Sequence, residues 1–172
     1  PNTMANACRH AVKSRAELIT VHCCSGSKAL LAANEAAIKA AIEFSLPTPI
    51  LLGVTVLTSW NSNDFSNDLL IKETIMQRVQ LMAELAFKSG IGGCICSPLE
   101  VAQLRQKYPE PFQLITPGIR LPGDKLNDQE RVLTPSEAIK LGASKLVVGR
   151  PITKARNPSD AFKRFCDDLI LP

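Results

Sequence analysis

Two short stretches of this chain carry residues that could bind an anion. Residues 112–120 run from a β-branched apolar segment through Gly118 to Arg120, and residues 146–153 run from a similar segment through Gly149 to Arg150. An arginine at the carboxyl end of a buried strand can grip a phosphate, and an adjacent glycine lets the ligand approach the backbone. Either arginine alone is explained as well by a surface ion pair, but two at equivalent strand ends favour a phosphate site.

Further polar side chains stand in loops or at predicted strand ends. The amide of Gln129, in a long polar loop, could donate to the same anion. Thr58 and Ser59 follow the longest apolar run, where their hydroxyls either contact a polar ligand or simply end the strand. His22 and Trp60 are more typical of a strand-end histidine and a packing residue than of a general base and a stacking platform. Because paired carboxylates at strand ends, a Ser-His-Asp order and glycine-rich nucleotide motifs are all absent from the sequence, the residues alone predict phosphate binding and no particular reaction.

The composition limits the class of protein. The 172 residues are 45% hydrophobic and no linker divides them, so we expect a single domain over residues 1–172. The net charge of +4 is scattered among acids instead of forming a basic stripe, which argues against a nucleic-acid partner. No apolar run approaches the roughly 20 residues of a membrane helix, and no signal pattern opens the chain, so we expect a cytoplasmic protein without membrane contact. The six cysteines lack a Cys-x-x-Cys pair, and we expect free thiols instead of a zinc site or disulfides.

Apolar periodicity predicts a helix followed by five strand–helix units. The predicted elements are a helix from residue 1, strand 18–22, helix 28–44, strand 50–57, a polar loop through 67, a helix from about 75 to 90, strand 92–96, helix 99–108, strand 113–116, helix 136–141, strand 145–148 and a helix from 159. Three helix starts, at residues 97–100, 134–137 and 157–160, each combine a capping residue, a proline and an acid.

This alternation, with its short connections, predicts an α/β fold with a parallel sheet covered by helices. A complete TIM (β/α)8 barrel takes about 250 residues. We therefore expect this chain to cover about the last five βα units of such a barrel plus a leading helix, with an open doubly wound sheet as the alternative.

Eight motifs occur in order along nearly the whole chain. They are Pro-Asn-Thr at 1–3, Val-His at 21–22, Val-Thr-Val-Leu-Thr-Ser at 54–59, Cys-Ser at 96–97, Thr-Pro-Gly-Ile-Arg at 116–120, Asp-Gln-Glu-Arg at 128–131, Thr-Pro at 134–135 and Gly-Arg-Pro-Ile-Thr at 149–153. Each motif is weak alone, but the ordered set resembles orotidine 5'-phosphate decarboxylase of the bacterial type.

The resemblance implies a homodimeric barrel that converts orotidine 5'-phosphate to uridine 5'-phosphate and carbon dioxide, the last step of UMP biosynthesis, without metal or organic cofactor. Gln129, Gly149 and Arg150 match the family's phosphate grip, and Arg120 matches the arginine near the same phosphate. Thr58 matches a substrate-contacting threonine at the pyrimidine end. Thr3 matches a threonine offered across the dimer to the neighbour's substrate.

The family's catalytic lysines and aspartates lie mainly in an Asp-x-Lys-x-x-Asp-Ile segment, which the resemblance places immediately before Pro1. This pattern does not occur among the 172 residues, so we expect no catalytic residue in the chain and no catalysis by it alone. Two interpretations follow: part of a longer decarboxylase, which we favour, or a non-catalytic phosphate-binding remnant or partner subunit. Within enzymes, the alternative is a sugar-phosphate synthase or decarboxylase of the same superfamily.

Overall fold

A computed structural model of the protein describes residues 1–125, 129 and 131–170. The Asp-Gln-Glu-Arg motif is therefore described at Gln129 and Arg131 only, because Asp128 and Glu130 lie outside the described residues. In chain order, the described elements are α1 Asn2–Lys13, β1 Leu18–His22, α2 Ser27–Phe44, β2 Ile50–Val54, α3 Ser62–Leu69, α4 Ile75–Lys88, β3 Gly93–Ile95, α5 Val101–Lys107, β4 Gln113–Thr116, α6 Pro135–Lys140, β5 Lys145–Leu146, α7 Arg150–Thr153 and α8 Pro158–Ile170. The predicted order, one helix and then five strand–helix units, is confirmed.

The chain divides into two compact units. The first comprises Pro1–Thr55 and Gln77–Ile95, and the second comprises Val56–Met76 and Cys96–Pro172. The composition predicts a single domain over residues 1–172, and this division into compact units does not test that prediction.

The first unit contains three parallel strands, helices α1 and α2, which pack on each other, and most of α4. β1 pairs with β2 from Leu18 opposite Ile50 to His22 opposite Val54, and β2 pairs with β3. β2 can pass close to its neighbours because it contains Gly53: a Cβ there would stand 2.6 Å from the Cys23 sulfur. α1 and α2 bury small and apolar side chains, among them Val12, Leu30, Ala33 and Ala37.

In the second unit, β4 and β5 pair in parallel, with Thr116 opposite Leu146. Arg105 on α5 braces the turns around these strands: its guanidinium donates to the carbonyl oxygens of Tyr108 (3.1 Å), Phe112 (2.7 Å) and Gly142 (3.0 Å), and to the Ser144 hydroxyl (2.8 Å). The carboxyl end of β4 thus leads into the Thr-Pro-Gly-Ile-Arg motif from a fixed position.

The elements differ from prediction in several places. β5 ends at Leu146 and not at residue 148. β2 ends at Val54 and not at residue 57, because the carbonyls of Val56 and Leu57 accept hydrogen bonds from the Arg131 side chain. Within the predicted polar loop, α3 forms, since the Asn61 side chain accepts from the Asp64 amide and caps it. The four-residue helix α7 was also not predicted.

Candidate functional site

Two residues that the sequence singled out separately are hydrogen-bonded to each other in the structure. Thr58 and Gln129 are 71 positions apart, yet the Thr58 hydroxyl donates to Oε1 of Gln129 at 2.6 Å. Thr58 is 7% exposed, so this bond satisfies a hydroxyl that would otherwise be buried without a partner. The bond also leaves the Gln129 amide NH2 as the donor end of that side chain.

Gly118 allows the loop after β4 to pack against the segment that carries Gln129. Its φ is +77°, and a Cβ there would stand 2.7 Å from the carbonyl oxygen of Arg131 and 3.4 Å from Oε1 of Gln129. A side chain at residue 118 would therefore meet both a strained backbone and a rigid neighbour. The backbone conformation and the crowding at residue 118 therefore explain the glycine of the Thr-Pro-Gly-Ile-Arg motif.

Arg131 is a functional candidate that the sequence reasoning missed. Its guanidinium pairs with the carboxylate of Glu100 and donates to the carbonyl of Leu57 at 3.0 Å, with a longer 3.5 Å contact to Val56. Its place two residues after Gln129 was the available signal, but nothing in the sequence showed its partners.

Glu100 is the buried counter-ion of that guanidinium. Its side chain is 2% exposed, and its second oxygen accepts from the Ser97 amide at 2.8 Å, completing a capping box. Burial raises the pKa of Glu100, while the Arg131 charge and the Ser97 amide act in the opposite direction. The carboxylate is therefore satisfied at both oxygens, which is the condition for keeping a charge inside.

Arg120, predicted to lie near the phosphate, is 7% exposed. Its Nε donates to the carbonyl of Lys125 at 3.0 Å, and Nη1 donates to the carbonyl of Ile119 at 2.8 Å. The guanidinium therefore fixes the backbone of the loop that follows it.

Arg150, the second predicted arginine, lines a cavity of about 570 Å³. Lys125, Lys154 and Arg164 line it as well, with Asp124 as the one carboxylate among its described lining residues. This volume falls within the range of small-molecule sites, and the excess of cations favours an anionic ligand. Since Arg120 holds the Lys125 carbonyl, both predicted arginines act on the wall of this cavity.

Gly149 precedes Arg150, and the space next to its Cα is open. Its φ is −102°, and no described atom lies within 4 Å of the position a Cβ would take. The space beside Gly149 is therefore open to a ligand.

Thr3 lies on α1, in the first unit, and is exposed. The other predicted site residues, Thr58, Arg120, Gln129, Gly149 and Arg150, all lie in the second unit. Of the remaining candidates, His22 is exposed, and Trp60 meets Phe65 edge to face with ring centroids 6.4 Å apart.

All six cysteines are free thiols. Burial, followed by the nearby Glu100 charge, raises the pKa of the Cys96 thiol, so Cys96 stays protonated. Within residues 1–125, 129 and 131–170, no three His, Cys, Asp or Glu side chains are grouped so as to hold a metal ion. The same residues include no helix with the length and apolar character needed to cross a bilayer.

Relatives of this chain share its sequence over nearly its whole length. An orotidine 5'-phosphate decarboxylase of Prochlorococcus marinus is 59% identical over 99% of this chain and 71% of its own length. One from Parasynechococcus marenigrum is 55% identical over 99% of this chain and 69% of its own length. This chain thus spans about seven-tenths of each of these relatives.

The fold agrees with these sequence relationships. The crystal structure of orotidine 5'-phosphate decarboxylase from Lactobacillus acidophilus is 33% identical and aligns with a TM-score of 0.81 over 99% of this chain and 71% of that one. This alignment confirms the predicted α/β barrel class with five parallel strands. The family model described as "Orotidine 5'-phosphate decarboxylase / HUMPS family" matches residues 1–165. The chain belongs to the orotidine 5'-phosphate decarboxylase / HUMPS family.

Proposed function

We propose that this chain binds orotidine 5'-phosphate and takes part in its decarboxylation to uridine 5'-phosphate. The observation that carries the proposal is the bond between Thr58 and Gln129, in the same unit as the cationic cavity that contains Arg150. Relatives at 55–59% identity named as this decarboxylase favour it over a sugar-phosphate enzyme of the same superfamily.

The proposed phosphate grip consists of Arg150, the Gly149 amide and the Gln129 side chain. A guanidinium supplies paired donors to a phosphate, and the open space beside Gly149 lets phosphate oxygens approach the backbone. Arg120 contributes through the Lys125 carbonyl, which it holds at the cavity wall. The proposed role of this group is to bind the charged end of the nucleotide.

Thr58 is the proposed contact at the pyrimidine end. Because its hydroxyl donates to Gln129, the two residues couple the pyrimidine end of the site to the phosphate end. Binding energy from a remote phosphate can be used to stabilise a transition state elsewhere on the substrate. The substrate-holding residues of this chain therefore have a direct part in the proposed reaction.

The chemical step itself breaks the bond from C6 of the pyrimidine to its carboxylate, releases carbon dioxide and leaves a carbanion that takes up a proton. We assign that step to the aspartates and lysine of the Asp-x-Lys-x-x-Asp-Ile pattern, which is not among the 172 residues. The role proposed for this chain is substrate binding. Detectable decarboxylation by these 172 residues alone would refute the assignment.

We also propose a homodimer in which Thr3 reaches the substrate of the neighbouring subunit. The exposure of Thr3 on α1 supports this arrangement, since a residue that serves a neighbour must be accessible on its own chain. A cytoplasmic location remains a prediction from the sequence.

The phosphate grip is tested with Arg150→Ala. We expect this change to weaken binding of uridine 5'-phosphate by about a hundredfold, the loss of a charge-assisted contact, and to leave binding of uridine nearly unchanged. Isothermal titration calorimetry with both ligands measures the difference.

Arg156→Ala is the matched control. Arg156 is an exposed arginine six residues away that is not among the residues lining the cavity. The control should bind both ligands as the unaltered protein does. Equal losses for nucleotide and nucleoside in Arg150→Ala would refute the assignment of the phosphate grip.

A further inference from the structure

We infer that Arg131 is a positioning residue for the substrate. It holds the Thr58–Gln129 pair in place through the backbone next to Thr58. This inference rests on the proposed function. It adds a residue to which the family resemblance gave no role, and it concerns how the site keeps its shape.

Arg131 contacts the backbone directly before Thr58 and lies close to Gln129 in the sequence. Its guanidinium donates to the carbonyl of Leu57 at 3.0 Å, and Leu57 is the residue directly before Thr58. A second, longer contact reaches the carbonyl of Val56 at 3.5 Å. Gln129 lies two residues before Arg131 in the chain. One planar group therefore fixes the backbone next to Thr58 and lies two peptide links from Gln129.

Those carbonyls come just after the end of β2, at Val54. Because the strand stops there, the carbonyls of residues 56 and 57 need other partners. Arg131 donates to both, and the Trp60 amide also donates to the Leu57 carbonyl at 3.2 Å. A guanidinium suits the task, since its donors point in fixed directions within one plane.

Glu100 holds the guanidinium in turn. The Arg131 side chain is 13% exposed and the Glu100 side chain 2%, so solvent does little to screen the pair. The second oxygen of Glu100 accepts from the Ser97 amide at 2.8 Å, which fixes the carboxylate to the start of a helical segment. Arg131 is thus anchored to Glu100 through Nη1 and directs Nη2 towards the carbonyls of residues 56 and 57.

The simpler explanation is that the pair only stabilises the fold. Stability alone does not need such a pair, because a buried ion pair can often be replaced by neutral groups of similar volume without loss. The two explanations therefore differ in what a neutral replacement of both partners does to ligand binding.

The test compares Arg131→Met, Arg131→Lys and the double variant Glu100→Gln/Arg131→Met in the protein. Glutamine at residue 100 keeps an acceptor for the Ser97 amide and removes the charge that would otherwise be left unpaired. Lysine at residue 131 keeps a charge opposite Glu100 but lacks the planar fork. The readouts are the midpoint of thermal unfolding and the dissociation constant for uridine 5'-phosphate.

Arg105→Met is the matched control. Arg105 also braces backbone carbonyls in the second unit, those of Tyr108, Phe112 and Gly142, and none of these is a proposed site residue. This control measures how far a loss of bracing in general, and of stability with it, changes ligand binding.

We expect the double variant to unfold at a higher temperature than Arg131→Met, while both bind uridine 5'-phosphate about tenfold or more weakly than the unaltered protein. Arg131→Lys should also bind weakly, and Arg105→Met should lose stability but keep its affinity. Affinity in the double variant or in Arg131→Lys equal to that of Arg105→Met would overturn the inference, whatever their stabilities. If the unaltered protein does not bind uridine 5'-phosphate at all, the proposed function fails instead.

Discussion

At the scale of single residues, Gly149 offers a direct test of the ligand's approach to the backbone. No described atom lies within 4 Å of the Cβ position at residue 149, so the methyl group of Gly149→Ala would not meet a neighbouring side chain there. The added methyl group would instead occupy the space proposed for phosphate oxygens. We expect a dissociation constant for uridine 5'-phosphate raised about tenfold, measured by calorimetry.

Uridine supplies the control for Gly149→Ala, because it lacks the phosphate and should bind as before. Unaltered affinity for uridine 5'-phosphate would show that the ligand does not approach the backbone at residue 149.

Arg120 and Arg150 show how far sequence reasoning reaches for a single residue. Both follow an apolar run and a glycine, and the sequence predicted similar roles for them. The structure places Arg150 in the cavity wall and engages Arg120 with the carbonyls of Ile119 and Lys125. The difference depends on the path of the loop after residue 120, and no local pattern encodes it.

Arg131 was missed for a related reason. Its partners, Glu100 and the carbonyls of Val56 and Leu57, lie 31 to 75 positions away in the sequence. An arginine in a polar loop is typical of a solvated surface, and only the fold reveals that this one is mostly buried. Interactions made at long sequence separation are the part of the site that periodicity and spacing do not predict.

At the scale of elements, helix starts were the best predicted feature, because their signals are local. The capping boxes at residues 97–100 and 134–137 both form. At the second, the Thr134 hydroxyl accepts from the Glu137 amide at 3.3 Å, and the Glu137 carboxylate accepts from the Thr134 amide at 2.9 Å. The Asn157 side chain likewise accepts from the amides of Ser159 and Asp160.

We expect Thr134→Ala to lower the free energy of unfolding by about 1 kcal/mol, the usual value of a capping side chain. Binding of uridine 5'-phosphate should not change, since Thr134 is not a proposed site residue. Chemical denaturation measures the first quantity. Ser159→Ala, which removes an exposed hydroxyl from the first turn of α8, should have little effect; equal losses in both variants would show that the box contributes nothing.

Element prediction failed where long-range contacts overrode the local pattern, or where the same residue types are common in two kinds of structure. The apolar run at residues 50–57 predicted a longer strand, but the last carbonyls are bound by an arginine side chain. The Asn, Ser and Asp residues around α3 are common in loops, yet Asn61 and Asp64 also form a helix cap, and Phe65 buries its side chain. Composition alone does not decide between these two uses of the same residues.

At the scale of the whole molecule, the proposed site takes Thr3 from one subunit and Arg150 from the other. We expect Thr3→Val, like Arg150→Ala, to weaken binding of uridine 5'-phosphate. When the two variants are mixed and allowed to exchange subunits, one site of each mixed dimer receives neither change. Roughly a quarter of all sites should then bind normally, as the two-fold symmetry of a dimer requires.

Calorimetric titration of the mixture measures that recovered fraction, and each variant titrated alone is the control. If Thr3 served its own chain, mixing would restore no site. Normal affinity in Thr3→Val alone, or a protein that sediments only as a monomer, would contradict the proposed arrangement.

The fold class was the most predictable property at this scale. It depends on the alternation of strands and helices, which is repeated five times and tolerates local errors such as a strand ended three residues early. The assembly of the site depends on a few side chains and carbonyls, so a single unforeseen contact changes it.

The carboxylate of Glu100 serves two neighbours at once, and this constrains how the protein can evolve. Aspartate is one methylene shorter and cannot span from Ser97 to Arg131 as glutamate does, while glutamine removes the charge that Arg131 requires. Replacing Arg131 by a neutral residue likewise leaves the buried Glu100 charge without its counter-ion. The two positions are therefore epistatic: a lineage that leaves this pair passes through a less fit intermediate unless both residues change together.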